Sequence, residues 1–331
     1  MTSYVSKFAQ AERHRSSAAV WSQKLATFAA PFLLIIILGH RFGAIGTLPT
    51  FWLLGMLILI LLIAIVAGVR GFYELWTYGH KGGLASARAL ALAVLLMVPF
   101  VYQGIRAFTH PQLYDISTDL EAAPDFDTAL DDRTEQMNPV LEPTPESALL
   151  QLRAYPSVTA RRYPLGIGRV FRTVVALIGE RGWVILTANT QQGQAPIDEE
   201  GSGLVAKAVT NASGLPIRPA VPNFRPSIVS PNEVETVTPP FETVVVSPTG
   251  RENDDTNPPS DERYVEAVAA SLIFGFESDV VIRMVEEEDG TLVDMRSVSR
   301  WGAHDLGANA QQVLEFLKDL DAALQGLGQE S

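Results

Sequence analysis

The chain has 331 residues, 47% of them hydrophobic, no cysteine and a formal net charge of -12. Without cysteine there is no disulfide framework, thiolate nucleophile or thiolate metal site, and an acidic body repels phosphate backbones, which argues against nucleic acid as a partner. The charge is uneven: residues 1–110 hold nine Lys and Arg against two Asp and Glu, and the remainder holds 16 against 35, so a basic, apolar front precedes an acidic, polar body.

Three apolar runs fill the front. Leu25 to Gly39, extended by Val20, Trp21 and Phe42 to Ile45, approaches the ~20 residues a bilayer crossing requires. Phe51 to Val69 is almost pure Leu, Ile, Val, Gly and Met, and Leu84 to Ile105 is long enough, with Arg88 near one end to snorkel. Transmembrane helices are therefore expected at about 22–44, 50–70 and 84–105, with the lipid bilayer as the first partner. No small-x-small cleavage site follows the first run, so it reads as a retained span rather than a signal peptide.

Basic residues set the expected orientation. Lys7, Arg13, Arg15 and Lys24 precede the first span, and Arg70, Lys81 and Arg88 surround the loop between the second and third, whereas the intervening loop offers only Arg41. The N-terminus is then cytoplasmic, and everything after about residue 106 lies across the inner (plasma) membrane, in the periplasm of a Gram-negative cell. Arg41, Arg70, Glu74 and Arg88 all fall near span ends, which suits an anchor better than an ion path. Arg70 and Glu74, four apart, read as a helical ion pair.

Residues 111–150 form an acidic lead-in. Asp125, Asp127, Asp131 and Asp132 lack calcium-loop spacing, so a solvated linker is expected. In the soluble domain, 151–330, Val170, Val174, Leu177 and Ile178 predict a helix over Gly168 to Glu180, and Trp183 to Ala188 reads as a strand. Residues 191–262 are Pro-rich with isolated hydrophobics, an extended insertion that serves as a passive loop or a partner-binding arm. Tyr264 to Ile273, Asp279 to Glu286 and Leu292 to Trp301 then read as strands, with Asp289-Gly290 as a hairpin turn between the last two. Gly302 and Gly307 shape a tight turn. Asp305 is the expected cap of a final helix striped by Val313, Leu314, Leu317, Leu320 and Leu324. The expected class is α+β: a small, mostly antiparallel sheet covered on one face by two helices, behind a three-helix anchor.

Asp294-Met295-Arg296-Ser297-Val298-Ser299-Arg300-Trp301-Gly302-Ala303-His304-Asp305-Leu306-Gly307-Ala308-Asn309 resembles the signature of the bacterial and plastid family called domain of unknown function 1499. Phe274 to Arg283 resembles the segment that precedes it there. The likeness spans roughly residues 115 to 327, and several members share hydrophobic N-terminal helices. It departs from the family's pattern at Ser278, Trp301, His304, Gln311 and Gln312. The resemblance implies no reaction, so it assigns no catalytic residue.

Hairpin geometry nominates a site. A two-residue turn at Asp289-Gly290 sets Arg283 opposite Arg296 and Asp279 opposite Arg300, with Asp279, Arg283, Asp294, Arg296 and Arg300 on one face and Val280, Ile282, Met284 and Met295 on the other. Facing arginines call for a negative group between them: Asp294 as part of an ion-pair lattice, or a bound carboxylate or phosphate. Ser297, Ser299, His304, Asp305 and Asn309 complete the candidate ligand set. Ser297 or Ser299 with His304 and Asp305 supplies the residue types of a hydrolase, though without a nucleophile elbow. His304 is the sole histidine after His110, so a multi-histidine centre is ruled out and no metal or cofactor is expected. The expected function is a membrane-anchored extracytoplasmic module binding a small anion or an envelope protein, with an envelope hydrolase as the alternative.

Overall fold

The computed structural model describes residues 16–78, 82–190 and 262–327. The insertion expected at 191–262 lies outside the described residues, save Glu262. The three apolar runs form α1 (Ser17–Arg41), α2 (Thr47–Tyr78) and α3 (Gly83–Thr109), each long and apolar enough to cross a membrane. They overrun the apolar runs at both ends; Gly43, just after α1, and Gly82, immediately before α3, both adopt positive φ. Small residues let the helices approach closely: a Cβ on Gly71 would meet Ala19 Cα at 3.1 Å, and the Ser22 hydroxyl donates to the Ala64 carbonyl at 2.8 Å. The Arg70 and Glu74 pair forms at 3.1 Å.

The rest of the chain contributes β1 (Asp115–Ser117), α4 (Thr128–Asp131), α5 (Pro145–Ala154), β2 (Arg161–Tyr163), α6 (Ile167–Glu180), β3 (Val184–Thr190), β4 (Glu262–Ala270), β5 (Glu277–Glu287), β6 (Gly290–Ser299) and α7 (Ala308–Leu327). The strands make one antiparallel sheet in the order β1-β6-β5-β4-β3, and β2 pairs with β6 on the same side as β1. As the periodicity predicts, α6 and α7 cover one face. Val170, Phe171, Val174, Ile178, Val313, Phe316, Leu317 and Leu320 bury against Val265, Val280, Ile282, Met284, Val293 and Met295, and Trp183 stacks on Phe316 with ring centroids 5.4 Å apart.

Two expectations are corrected. The lead-in is not a solvated linker, because it covers the sheet's second face. Phe126 and Ala129 bury against Val281 and Val298, and the fully buried Glu266 carboxylate accepts from the backbone N–H groups of Asp127 (2.8 Å) and Ala129 (2.7 Å) at the start of α4. The hairpin register is also displaced by two residues. Glu287 pairs with Gly290, so Arg283 faces Asp294, Val281 faces Arg296 and Asp279 faces Val298.

Gly290 is the reason for the displacement. It sits at φ +146° inside β6, where an added Cβ would lie 2.0 Å from the Tyr163 carbonyl oxygen of β2. The glycine serves a close backbone approach, and the turn falls on Glu288 and Asp289 instead. Because a shift of two preserves parity, the expected division of faces survives intact.

Candidate functional site

Beneath the lead-in, the charged face of the hairpin forms a lattice of ion pairs. Asp279, fully buried, receives Arg300 Nε at 2.9 Å and Arg133 Nε at 2.8 Å. Arg300 reaches it from beyond the end of β6 and also binds Glu277 at 2.6 Å. Arg296 is 1% exposed; its Nε and Nη2 grip the two Asp115 oxygens at 3.0 and 2.7 Å, and its remaining donors go to the Pro124 and Leu141 carbonyls. Arg283 binds Asp294 at 3.0 Å, Asp119 at 3.3 Å and the Ala122 carbonyl. Burial pushes the Asp294 carboxyl above the ordinary carboxylate range, against the opposing pull of Arg283. Each predicted arginine thus has a carboxylate partner from this chain, and Asp115, Asp119 and Arg133 come from the lead-in.

On the helix face of the sheet, Ser297, Ser299 and Asn309 form a separate cluster. The Asn309 side-chain oxygen accepts from the hydroxyls of Ser297 (3.1 Å), Ser299 (3.3 Å) and Ser278 (3.1 Å), and its amide donates to the Tyr114 carbonyl at 2.7 Å. This pins the first turn of α7 to β6 and to the chain entering β1.

His304 and Asp305 belong to a third arrangement. The Asp305 carboxylate accepts from the N–H groups of Gly307 (2.8 Å) and Asn309 (2.9 Å), which makes it the expected cap. Its pKa is raised, chiefly by burial. His304 Nδ1 accepts from the Leu306 N–H at 3.0 Å, so Nε2 carries the proton and donates to the Ala107 carbonyl at the end of α3, 3.2 Å away. Both ring nitrogens are engaged by backbone, and the two serines bond to Asn309 instead. The Ser-His-Asp residues are not assembled into a catalytic constellation.

One feature of the domain has no counterpart in the sequence reading. A cavity of about 190 Å³ opens between the lead-in and α5, walled by Leu113, Tyr114, Leu120, Leu141 and Pro143. Asp115 and Glu142 are the charged residues that line it, with no Lys, Arg or His. Beside it, α5 inverts the usual pattern. Gln151 is 3% exposed and bonds to both the N–H and the carbonyl of Ser117, as a neighbouring strand would, while Leu149 and Leu152 are 55% and 52% exposed. The signal available in the sequence was Thr144-Pro145, an N-cap followed by Pro at the first helical position.

These features define a membrane-anchored α+β module whose signature residues hold its parts together. The family model described as "Protein of unknown function (DUF1499)" matches residues 220–320. That supports the resemblance carried by the signature, and the described part of the match runs from β4 into α7. No curated protein and no solved structure matches the chain.

Proposed function

We propose that the chain is an extracytoplasmic binding module, fixed to the inner membrane by α1 to α3, whose ligand is a neighbouring envelope protein that seats an apolar side chain in the cavity beside α5. The observation that carries this reading is a contrast. The arginines suited to an anion are paired with the chain's own carboxylates, whereas a mainly apolar cavity with acidic residues in its wall stands open beside α5. A small anion gains nothing from such walls, and a protein side chain does.

A photoreactive residue at Leu141 should crosslink to a single protein in native membranes, and Ser147→Trp, which fills the cavity mouth, should abolish that product. A crosslink indifferent to Ser147→Trp would overturn the proposal. So would binding heat on titrating inorganic phosphate or citrate into the detergent-solubilised full chain.

The orientation rests on the basic-residue asymmetry. It is supported by the contacts of the soluble domain, which meets the C-terminal ends of α1 and α3, the side the positive-inside rule assigns to the periplasm. Arg41, the last residue of α1, is used there as a donor to the soluble domain. A reporter enzyme active only outside the cytoplasm should work when fused after Ser331 and fail when fused near Gly79. The reverse pattern would place the domain in the cytoplasm.

A further inference from the structure

The β4–β5 connection, Ser271 to Phe276, has a composition foreign to this acidic domain: from Ala267 to Phe276 there is no charged residue. Its tip is bare, with Leu272 86% and Ile273 59% exposed. It is also fastened to the end of the membrane bundle. Arg41 Nη1 donates to the Leu272 carbonyl at 2.6 Å and to that of Ser271 at 3.3 Å, and His40 Nδ1 donates to the Phe274 carbonyl at 2.6 Å. Phe276 stacks on Phe51 in the first turns of α2 at 5.2 Å and lies against the His40 ring at 4.9 Å.

Those contacts fix the height of the loop. The 25 residues of α1 extend for about 37 Å against a hydrocarbon core of about 30 Å, so its final turn, His40 and Arg41, reaches the headgroup layer. A loop bonded to that turn shares its depth. Part of the loop backbone is already satisfied within the protein. Ser271 N–H donates to Phe276 O and Gly275 N–H to Ser271 O, both at 2.9 Å, Phe276 N–H donates to the Ser271 hydroxyl, and Arg41 and His40 take the carbonyls of Ser271, Leu272 and Phe274.

We infer that this loop is a lipid-contacting element of the soluble domain, which places Leu272 and Ile273 among the glycerol and upper acyl groups of the bilayer that α1 to α3 cross. The bundle sets the depth, the loop adds a fourth point of membrane contact, and the domain is thereby held against the surface rather than tethered at a distance. This holds on whichever side of the membrane the domain lies, and it does not depend on the cavity beside α5.

Because the chain has no cysteine, Leu272→Cys and, as a control at the far end of the hairpin, Glu288→Cys each give one labelling site. The full chain, labelled with a polarity-sensitive fluorophore, would be reconstituted in phosphatidylcholine and phosphatidylglycerol vesicles. The label at 272 should emit to the blue of the label at 288, lose most of its emission to lipids brominated near the glycerol end, and resist aqueous iodide. Iodide quenching as strong at 272 as at 288 would overturn the inference. Protection from both iodide and brominated lipid would also overturn it, because a protein surface or a second copy of the chain would then cover the loop.

Discussion

Replacing Arg296 with Gln should lower the stability of the ligand-free protein by about 3–5 kcal/mol, read as a fall in the unfolding midpoint of the full chain in detergent. The guanidinium is among the largest side chains fully buried here. Its loss strands the Asp115 carboxylate and leaves the Pro124 and Leu141 carbonyls without their donor, each unmade bond costing about 1–3 kcal/mol. The Asp115 side chain retains 20% exposure, which lets water relieve part of its charge and holds the total near the lower figure. Arg283→Gln is the informative comparison. Arg283 lies nearer solvent, with 21% of its side chain exposed, so its removal should cost less. An unchanged midpoint for Arg296→Gln, with loss of a measurable anion affinity, would instead make Arg296 part of a ligand site.

Gly290→Ala should cost about 3 kcal/mol or more, measured in the same way. The backbone at φ +146° is strained for any residue with a Cβ, and that atom would overlap the Tyr163 carbonyl oxygen at 2.0 Å. The obstructing atom is backbone, so relief requires moving β2 away from β6. The Thr291 hydroxyl bond to the Leu165 carbonyl, 2.7 Å, would be lost with it. Gly182→Ala supplies the contrast: φ is +66° there and no atom lies within 4 Å of the added Cβ, so the strain acts alone and the loss should be near 1 kcal/mol. Equal losses at the two positions would mean that close approach of β2 does not govern the hairpin.

What could be read from the residues was whatever repeats along the chain. The apolar runs of α1 to α3, the stripes of α6 and α7 and the alternation in β5 and β6 each carry their own signal. The face to which Arg283 or Met284 points depends on parity alone, which is why it survived the register error. The register depended on which of two jobs Gly290 performs, and that is decided by β2, whose three residues Arg161 to Tyr163 carry no periodic signal of their own. The lead-in was opaque for a similar reason. Its anchors, Tyr114, Ile116, Phe126 and Ala129, are scattered singly among acids and prolines, and Asp115 gains its meaning from an arginine 181 positions away. The candidate residues do not gather into one site. They proved to be divided among an ion-pair lattice, a hydroxyl and amide pin and a helix cap, which residue type alone does not distinguish.

The position of β6 between β5 and the pair β1 and β2 dictates when the domain can close during synthesis. The earliest strand to emerge finds its partner only in the last, so Asp115 waits while 181 further residues are made, on the order of ten seconds or more at ordinary elongation rates. By then α1 to α3 are complete, and the waiting segment is already held beside the bilayer. A chain cut short before β6 keeps its anchor yet leaves β5 or β4 as an open strand edge at the membrane surface, the kind of surface that chaperones and proteases recognise. Completion of the sheet therefore requires delivery of the chain through β6.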